Sequence, residues 1–268
     1  MKKVEASLSV LFCLFLGIKD GKSSLLDPFC GFSQPNEFGG KIFGGHSVDI
    51  RSQPWMVRVV SAVNTCGGTL ITSRFVLTAA HCLTELDMWV LLGEFEVLYP
   101  NPLWRIEKFV DKKIAFPLYP NADEQYDIAI VRMRTSVPYS DYIRPICLFV
   151  NEAVPIVQKF NISGWGRTEN QNISRTLQTA IVNDVDQSHC RSIYRRIVDQ
   201  SQICAGSYTS DGDSGGPLSA EINYEGQFRT FQFGIASYGS PNCNSFSVNT
   251  RVESFIGWIR QVVEHFSH

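Results

Sequence analysis

Three short strings in the sequence place a serine, a histidine and an aspartate in surroundings that suit nucleophilic catalysis. The string GDSGGPL (212–218) sets Ser214 among glycines, which let the backbone turn tightly and a substrate carbonyl approach. A serine hydroxyl becomes a nucleophile when a base takes its proton and backbone N–H groups meet the oxyanion that forms. His81 in TAAHC is a candidate base, and Asp127, which opens the apolar run DIAIVRM, is a candidate partner for it. Taken singly, each string is equally typical of a surface turn or a structural side chain.

In combination, the strings LTAAHC, DIAIVR, GWGRT and GDSGGPL resemble the chymotrypsin family of serine proteases, which has the same order of His, Asp and Ser. The resemblance extends from about residue 42 to the C-terminus. DPFCGF and FVLTAAHC are most similar to strings of insect haemolymph cascade proteases. We expect no six-cysteine clip module, because Cys30 is the single cysteine between the leader and the protease region.

The resemblance implies a role for each residue of the site. Ser214 would be the nucleophile, and His81 would act first as general base and then as general acid. Asp127 would orient His81, with Ser237 supporting the aspartate. The backbone N–H groups of Gly212 and Ser214 would form the oxyanion hole.

Substrate binding is where the sequence departs from the family. The implied substrate-binding residues are Tyr208, Asp211, Ser237, Tyr238, Gly239 and Ser247. The string CAGSYTSDGDS is shorter than is usual, and Tyr208 stands where trypsin-like members carry an aspartate that pairs with Arg or Lys. Asp211 lies nearer the pocket rim, and Ser247 replaces a glycine on the opposite wall. The preference at the cleaved residue is therefore open between a shifted loop, an altered preference and a blocked pocket.

The string KIFGG (41–45) resembles the activation junction of a protease precursor. Cleavage after Lys41 would free the ammonium group of Ile42, which in the family turns inward and pairs with the carboxylate that precedes the nucleophile, here Asp213. A buried charge needs a partner, so this insertion would order the oxyanion hole. The alternative is that KIFGG is an ordinary basic turn.

Seven cysteines remain once the leader is removed, so an oxidising compartment predicts three bridges and one leftover. The resemblance implies the pairs Cys30–Cys147, Cys66–Cys82 and Cys190–Cys204. It leaves Cys243 alone, because Ser210 stands where its family partner would be. Cys243 would then be either a thiol in a loosened pocket wall or a buried, inert thiol.

The elements that must position these residues are mostly strands. Short apolar runs such as WMVRVV, FVLTAA, DIAIVRM and FQFGIASYG are separated by turn residues, which predicts an all-β sandwich or barrel. Apolar residues recur at three- to four-residue steps from 255 to 266 and predict a C-terminal helix. The resemblance makes the fold more specific, with two six-stranded antiparallel β-barrels and a C-terminal helix.

Composition and charge exclude several partners. There are 24 basic and 26 acidic residues without a long block of one sign, so neither nucleic acid nor a membrane is expected as a partner. A basic start and an apolar run over 8–18 predict a signal peptide, since that run is shorter than the roughly 20 residues of a membrane span. We expect a signal peptide over 1–21, a propeptide or light chain over 22–41 and the protease domain over 42–268, and we expect the protein to be secreted.

Two sequons and one pair of carboxylates suggest further sites. Asn172 lies in a polar loop and is the better candidate for glycosylation, whereas Asn161 leads into an expected strand. Glu94 and Glu96 stand where some family members hold calcium, but two loop carboxylates are more often simply solvated. We expect neither a metal nor an organic cofactor.

The sequence thus predicts a secreted serine endopeptidase zymogen of an extracellular proteolytic cascade. Its expected partners are a protein substrate, an upstream activating protease and a serpin-type inhibitor. The alternative is a non-catalytic, protease-like adaptor, which the shortened loop before Ser214 favours and the intact triad opposes. A digestive enzyme is a third possibility, which the expected tether between Cys30 and Cys147 disfavours.

Overall fold

The apolar runs of the sequence fold as strands, and six of them close into a first barrel. The computed structural model describes residues 25–35, 46–119, 125–150, 153–166, 174–206, 214–239 and 246–267. The strands of the first barrel are β2 (Met56–Ser61), β3 (Thr65–Thr72), β4 (Phe75–Thr78), β5 (Met88–Leu92), β6 (Ile106–Ala115) and β7 (Ala129–Met133), joined in the order β2-β3-β4-β7-β6-β5. All pairs are antiparallel, and β5 returns to β2.

A second barrel follows in the chain. Its strands are β8 (Lys159–Gly164), β9 (Gln178–Val185), β10 (Gln202–Gly206), β11 (Pro217–Tyr224), β12 (Gln227–Tyr238) and β13 (Phe246–Arg251), and β1 (His46–Ser47) adds to the edge of β9. The order is β9-β10-β13-β12-β11-β8, and the pairing of β8 with β9 closes it. The prediction of two six-stranded antiparallel barrels is confirmed.

Each barrel is filled by side chains that point inward from alternating strand positions. The first is packed with large apolar residues that include Met56, Leu70, Phe75, Leu77 and Ile130. A second cluster holds Phe160, Ile162, Ile203, Leu218 and Phe231.

Two α-helices of the described residues lie outside the barrels. The predicted C-terminal helix is α2 (Ile256–Phe266), which follows a 3-10 turn at Val252–Phe255 and buries Ile259, Val262 and Val263. The other helix, α1 (Gln187–Tyr194), was missed by the sequence analysis. Its start is nevertheless written in the sequence, because the Asp186 side chain caps the helix by accepting from the backbone N–H of Ser188. Within the described residues, no helix has both the length and the apolar character needed to cross a membrane.

The segment before the protease region packs on the second barrel. Gly31 donates to the carbonyl of Pro145 at 2.8 Å and accepts from the backbone N–H of Thr230 at 3.0 Å. Gly31 has φ +75°, and a Cβ there would lie 2.7 Å from the sulfur of Cys147, so this position requires glycine. Leu25 is buried and forms an antiparallel bridge with Phe149. Residues 25–35 are therefore an integral part of the fold.

Candidate active site

His81 and Asp127 meet at the boundary of the first barrel. His81 lies in a 3-10 turn directly after β4, and Asp127 lies two residues before β7, which is the neighbour of β4. The ring Nδ1 of His81 is 2.7 Å from Asp127 Oδ2, and the backbone N–H of His81 donates to Asp127 Oδ1 at 2.9 Å. Strand pairing therefore sets both the position of the imidazole and the nitrogen that faces the carboxylate.

Asp127 is a buried carboxylate whose oxygens are fully engaged. Its side chain is only 2% exposed, and Ser237 in β12 donates its hydroxyl to Oδ2 at 2.5 Å. Thr250 in β13 donates to the backbone carbonyl of Asp127 at 2.8 Å. Burial alone would raise the pKa of Asp127, but the hydrogen bonds from His81 and Ser237 and the attraction of the imidazole hold that pKa below its usual value.

Ser214 is held by contacts that cross from one barrel to the other. Its backbone carbonyl accepts from the N–H of Gly67 in β3 at 2.8 Å, and the next residue, Gly215, donates to the carbonyl of Ala236 in β12 at 2.7 Å. Gly215 has φ +81°, and a Cβ there would clash with the Gly67 carbonyl and the Thr78 hydroxyl. The exposed Ser214 is thus fixed on a turn that only a glycine can follow.

One disulfide places this turn next to His81. Cys66 in β3 is bonded to Cys82, the residue after His81. The sulfur of Cys82 is 3.6 Å from His81 Nε2, and it would lie 3.3 Å from a Cβ built on Gly215. His81 Nε2, the ring nitrogen that faces away from Asp127, and the serine turn therefore both lie close to the Cys82 sulfur.

The other two bridges, Cys30–Cys147 and Cys190–Cys204, are also the pairs that the resemblance implies. Among the described residues, the one group of three potential metal ligands is Cys66, His81 and Cys82. Because its two sulfurs are bonded to each other, this group is not a metal site.

The expected substrate-binding strand ends beside Asp127. Ser237 and Tyr238 are the last two residues of β12, and Gly239 follows the strand. Tyr238 is half-buried and Gly239 is exposed. Ser247 lies opposite, since its Cβ would be 3.6 Å from a Cβ built on Gly239. The Ser247 hydroxyl donates to the carbonyl of Ala205 at 3.2 Å. The residue expected in the opposite wall of the substrate pocket therefore has a hydroxyl that is already hydrogen-bonded.

Several sequence-based predictions concern residues outside the described ranges. They are those for Lys41, Ile42, Asn172, Tyr208, Ser210, Asp211, Gly212, Asp213 and Cys243. Asn161 is described and lies inside β8, paired with Ile181 on one side and Ser219 on the other.

The loop that holds Glu94 does not suit calcium. The Glu94 side chain is 1% exposed, and Oε2 accepts from Arg58 at 2.7 Å. Arg105 Nε forms an ion pair with Oε1 at 3.3 Å, although its orientation is not that of a hydrogen bond. Glu96 pairs through its backbone with Thr176. Two guanidinium groups already neutralise the one buried carboxylate, so a divalent cation would meet excess positive charge.

The sequence analysis missed the residues that support the site. Gly67 and Thr250 position the serine turn and Asp127 through single hydrogen bonds between elements distant in the chain, and Thr78 in turn holds the carbonyl of Gly67. Glycine and threonine are common in strands and turns, so their types carry no sign of this role. Gly215 is part of the string GDSGGPL, but only the structure shows that a side chain at this position would clash with Gly67.

Comparison with known proteins agrees with this geometry. The profile of the family described as Trypsin matches residues 42–259. The Spaetzle-processing enzyme of Drosophila melanogaster is 35% identical, over 88% of this chain and 68% of that protein. Melanization protease 1 of the same organism is 34% identical with the same coverage.

Solved structures show the same architecture. The crystal structure of the Drosophila Grass clip serine protease of the Toll pathway has a TM-score of 0.71 at 29% identity, covering 89% of this chain and 75% of that chain. Neuropsin, a serine protease of mouse brain, has a TM-score of 0.70 at 30% identity, covering 83% of this chain and all of that chain. The chain therefore belongs to the trypsin family of serine endopeptidases. Its similarity to insect haemolymph cascade proteases is confirmed by these relatives.

Proposed function

We propose that the protein is a secreted zymogen that becomes an endopeptidase of an extracellular cascade after cleavage following Lys41. The observation that carries the proposal is the buried Asp127 that orients His81 beside the turn of Ser214. Each chemical step is assigned to groups of this chain.

In the first half-reaction, His81 Nε2 takes the proton of Ser214 as the serine oxygen attacks the scissile carbonyl. Asp127 holds the opposite nitrogen of His81 and stabilises the imidazolium that forms, which its lowered pKa and its bond to Ser237 favour. The N–H groups of Gly212 and Ser214 receive the oxyanion. His81 then protonates the departing amine and leaves an acyl-enzyme.

In the second half-reaction, water takes the place of the amine. His81 removes a proton from that water, which attacks the ester carbonyl of the acyl-enzyme, and the proton passes to Ser214 as the bond breaks. The enzyme returns to its starting state, and one peptide bond has been hydrolysed.

Activation is proposed to act through the new amino terminus. The ammonium of Ile42 would pair with the carboxylate of Asp213, which adjoins the nucleophile. The strand just downstream supports this, because β1 is paired with β9 and the N–H of Val48 donates to the carbonyl of Leu177 at 3.1 Å. The new terminus would therefore be a short segment that precedes a strand already held in the second barrel.

The cascade setting is supported by the relatives. The names of two of them refer to the processing of Spaetzle and to melanization. We propose by analogy that this enzyme is cut by an upstream protease, cuts a protein substrate and is stopped by a serpin-type inhibitor. The leader over 1–21 would direct secretion, and glycosylation at Asn172 fits that route, whereas Asn161 lies within β8 and is paired on both sides.

The proposal is tested on protein cut after Lys41 and checked for a new amino terminus at Ile42. Hydrolysis of a broad peptide library and labelling of Ser214 by a fluorophosphonate are measured together. Ser214→Ala should abolish labelling and lower kcat by on the order of a million-fold. Ser192→Ala, an exposed serine on α1, is the matched control. A cut protein that neither labels nor cleaves any peptide would establish the adaptor function instead.

A further inference from the structure

A cavity on the second barrel is lined by none of the residues of the candidate active site. It is bordered by the segment 154–157, by β8 and β12 and by the turn that precedes α2, and its volume is about 130 Å³. Most of its lining residues are apolar, and they include Phe149, Val157, Phe160, Phe233 and Ile256. An apolar cavity of about 150 Å³ can hold a benzene molecule. This cavity is therefore large enough for a side chain of about five heavy atoms.

The lining also carries two carboxylates and one guanidinium. Asp184 in β9 and Glu253 in the turn before α2 supply the carboxylates, and Arg251 supplies the guanidinium. Arg251 donates to the backbone carbonyls of Gln200 and Gln202 at 3.0 and 3.5 Å. No described residue forms an ion pair with either carboxylate. Two carboxylates against one guanidinium leave the lining with a net negative charge, which favours a cation in the cavity.

Asp184 is the carboxylate that would gain most from such a cation. It is open to solvent on one side, and its carboxylate accepts from the backbone N–H of Val185. Burial raises the pKa of Asp184 above its usual value, although the charge of Arg251 and this hydrogen bond oppose the rise. The carboxylate has therefore lost hydration without gaining a cation in contact with it. An ammonium group beside it would stabilise its charged form.

We propose that this cavity is a docking site for a lysine side chain of a partner protein. The methylene groups of the lysine would pack on the apolar lining, and its ammonium would pair with Asp184. Lysine fits better than arginine, because a guanidinium is longer and favours two parallel bonds to a carboxylate. The inference does not depend on the proposed proteolytic function.

The rim of the cavity favours a protein over a free amine. Pro155 and Ile156 belong to the lining and are exposed, Ile156 to 97%. Such apolar groups are removed from water when they contact the residues that flank the lysine, which is favourable. A free alkylammonium ion cannot provide this contact.

The experiment uses the uncut, isotope-labelled chain, so that no result depends on proteolysis. The probe is the peptide acetyl-Leu-Lys-Leu-amide, and matched peptides carry norleucine or arginine in place of the lysine. Binding is followed by NMR through the backbone amide signals of Asp184, Val185 and Glu253. We expect the lysine peptide to bind about fivefold more tightly than the norleucine peptide, the effect of an exposed ion pair of ~1 kcal/mol. That ratio should fall as salt is raised from about 0.1 to 1 M, because the Debye length shortens from about 10 to 3 Å.

Three variants locate the site, and the amide spectrum of each reports whether it is folded. Asp184→Asn removes the charge at nearly constant size and should bring the ratio to about one. Glu221→Gln removes an exposed carboxylate of β11 that does not line the cavity, and should leave the ratio unchanged. Ile156→Ser should weaken binding of the lysine peptide without affecting that of butylammonium.

Several outcomes would overturn the inference. They are the absence of shifts at these amides with millimolar lysine peptide, equal binding of the lysine and norleucine peptides, tighter binding of the arginine peptide, and a ratio that survives in Asp184→Asn. Butylammonium that binds as tightly as the lysine peptide would also overturn it, because the occupant would then be a free amine.

Discussion

Gly67 donates its backbone N–H to the carbonyl of Ser214 at 2.8 Å, and through this one bond the first barrel holds the serine turn that precedes β11 of the second. The Thr78 hydroxyl donates to the carbonyl of the same glycine at 2.8 Å. The position of the serine turn thus depends on contacts between the two barrels.

The glycine after Ser214 should be irreplaceable. Gly215→Ala combines a left-handed backbone, which costs a non-glycine residue roughly 1–2 kcal/mol, with a clash against Gly67 and Thr78. We expect a large loss of both the free energy of unfolding and kcat, measured by thermal unfolding and peptide hydrolysis. Gly226→Ala is the control, because its φ is also about +80° but open space surrounds it. Equal effects of the two substitutions would show that the clash is relieved without cost.

The hydroxyl of Ser237 should contribute to the rate through Asp127. Ser237→Ala removes one hydrogen bond to a buried carboxylate, which is worth about 1.5–3 kcal/mol. We expect kcat/KM to fall at least tenfold, mostly in kcat, because the imidazolium that Asp127 stabilises forms only during reaction. Ser219→Ala removes another buried hydroxyl, in β11, that does not contact Asp127. If that variant loses as much kcat, the effect of Ser237→Ala is structural.

An ion pair on the first barrel should make stability depend on pH. Asp111 accepts two bonds from Arg132 at 2.9 Å. Burial opposes ionisation, but these bonds and the charges of Arg132 and Arg74 hold the pKa of Asp111 below its usual value. A carboxyl with a lowered folded-state pKa stabilises above the unfolded value of about 3.9 and loses this contribution as pH falls through the folded one.

Asp111→Asn should therefore lower the free energy of unfolding by about 1 kcal/mol at pH 7, since the pair is partly exposed. The difference from the wild type should shrink below about pH 4. Urea unfolding at pH 7 and pH 3 measures it. A difference that is the same at both pH values would mean that the carboxyl does not titrate in this range.

The fit of Arg58 and Arg105 around Glu94 predicts that a chelator has no effect. Tm and peptide hydrolysis of the cut enzyme should be the same with and without EDTA. Arg105→Met should lower the free energy of unfolding by about 1–3 kcal/mol, because it removes one of two partners of a buried carboxylate. Arg144→Met breaks an exposed pair with Asp141 and should cost much less. A lower Tm in EDTA would show that a metal contributes after all.

If the chain is cut after Lys41, the segment before the cut should remain bound even without its disulfide. Arg229 donates to the carbonyl of Pro28 at 2.8 Å, and the Tyr139 hydroxyl donates to the carboxylate of Asp27 at 2.5 Å. After cleavage following Lys41, a non-reducing denaturing gel should show one band and a reducing gel two. In native size-exclusion chromatography, the chains of a Cys30→Ser, Cys147→Ser protein should still elute together. Separation of the wild-type chains on the non-reducing gel would refute the tether.

The sequence predicts the residues of the candidate active site better than the elements and contacts that hold them in place. His81, Asp127 and Ser214 lie in strings so distinctive that their meeting could be expected, and alternating apolar runs predict the strands that carry them. The short α1 could not be recognised from periodicity, because Cys190 is its only buried side chain. The cation–π contact between Arg196 and the Tyr238 ring could not be predicted either. It joins segments that are remote in the chain, so the local sequence does not indicate it.

The docked segment over 25–35 also governs how the chain can be made. It is synthesised well before its partners Pro145, Phe149 and Thr230. During synthesis Cys66 and Cys82 therefore appear before Cys147, the partner of Cys30, and either could pair with Cys30 first. Non-native bridges formed in that interval have to be reshuffled, a process of seconds to hours that depends on oxidant and isomerase. The yield of correctly paired protein should accordingly depend on the redox conditions in which the chain folds.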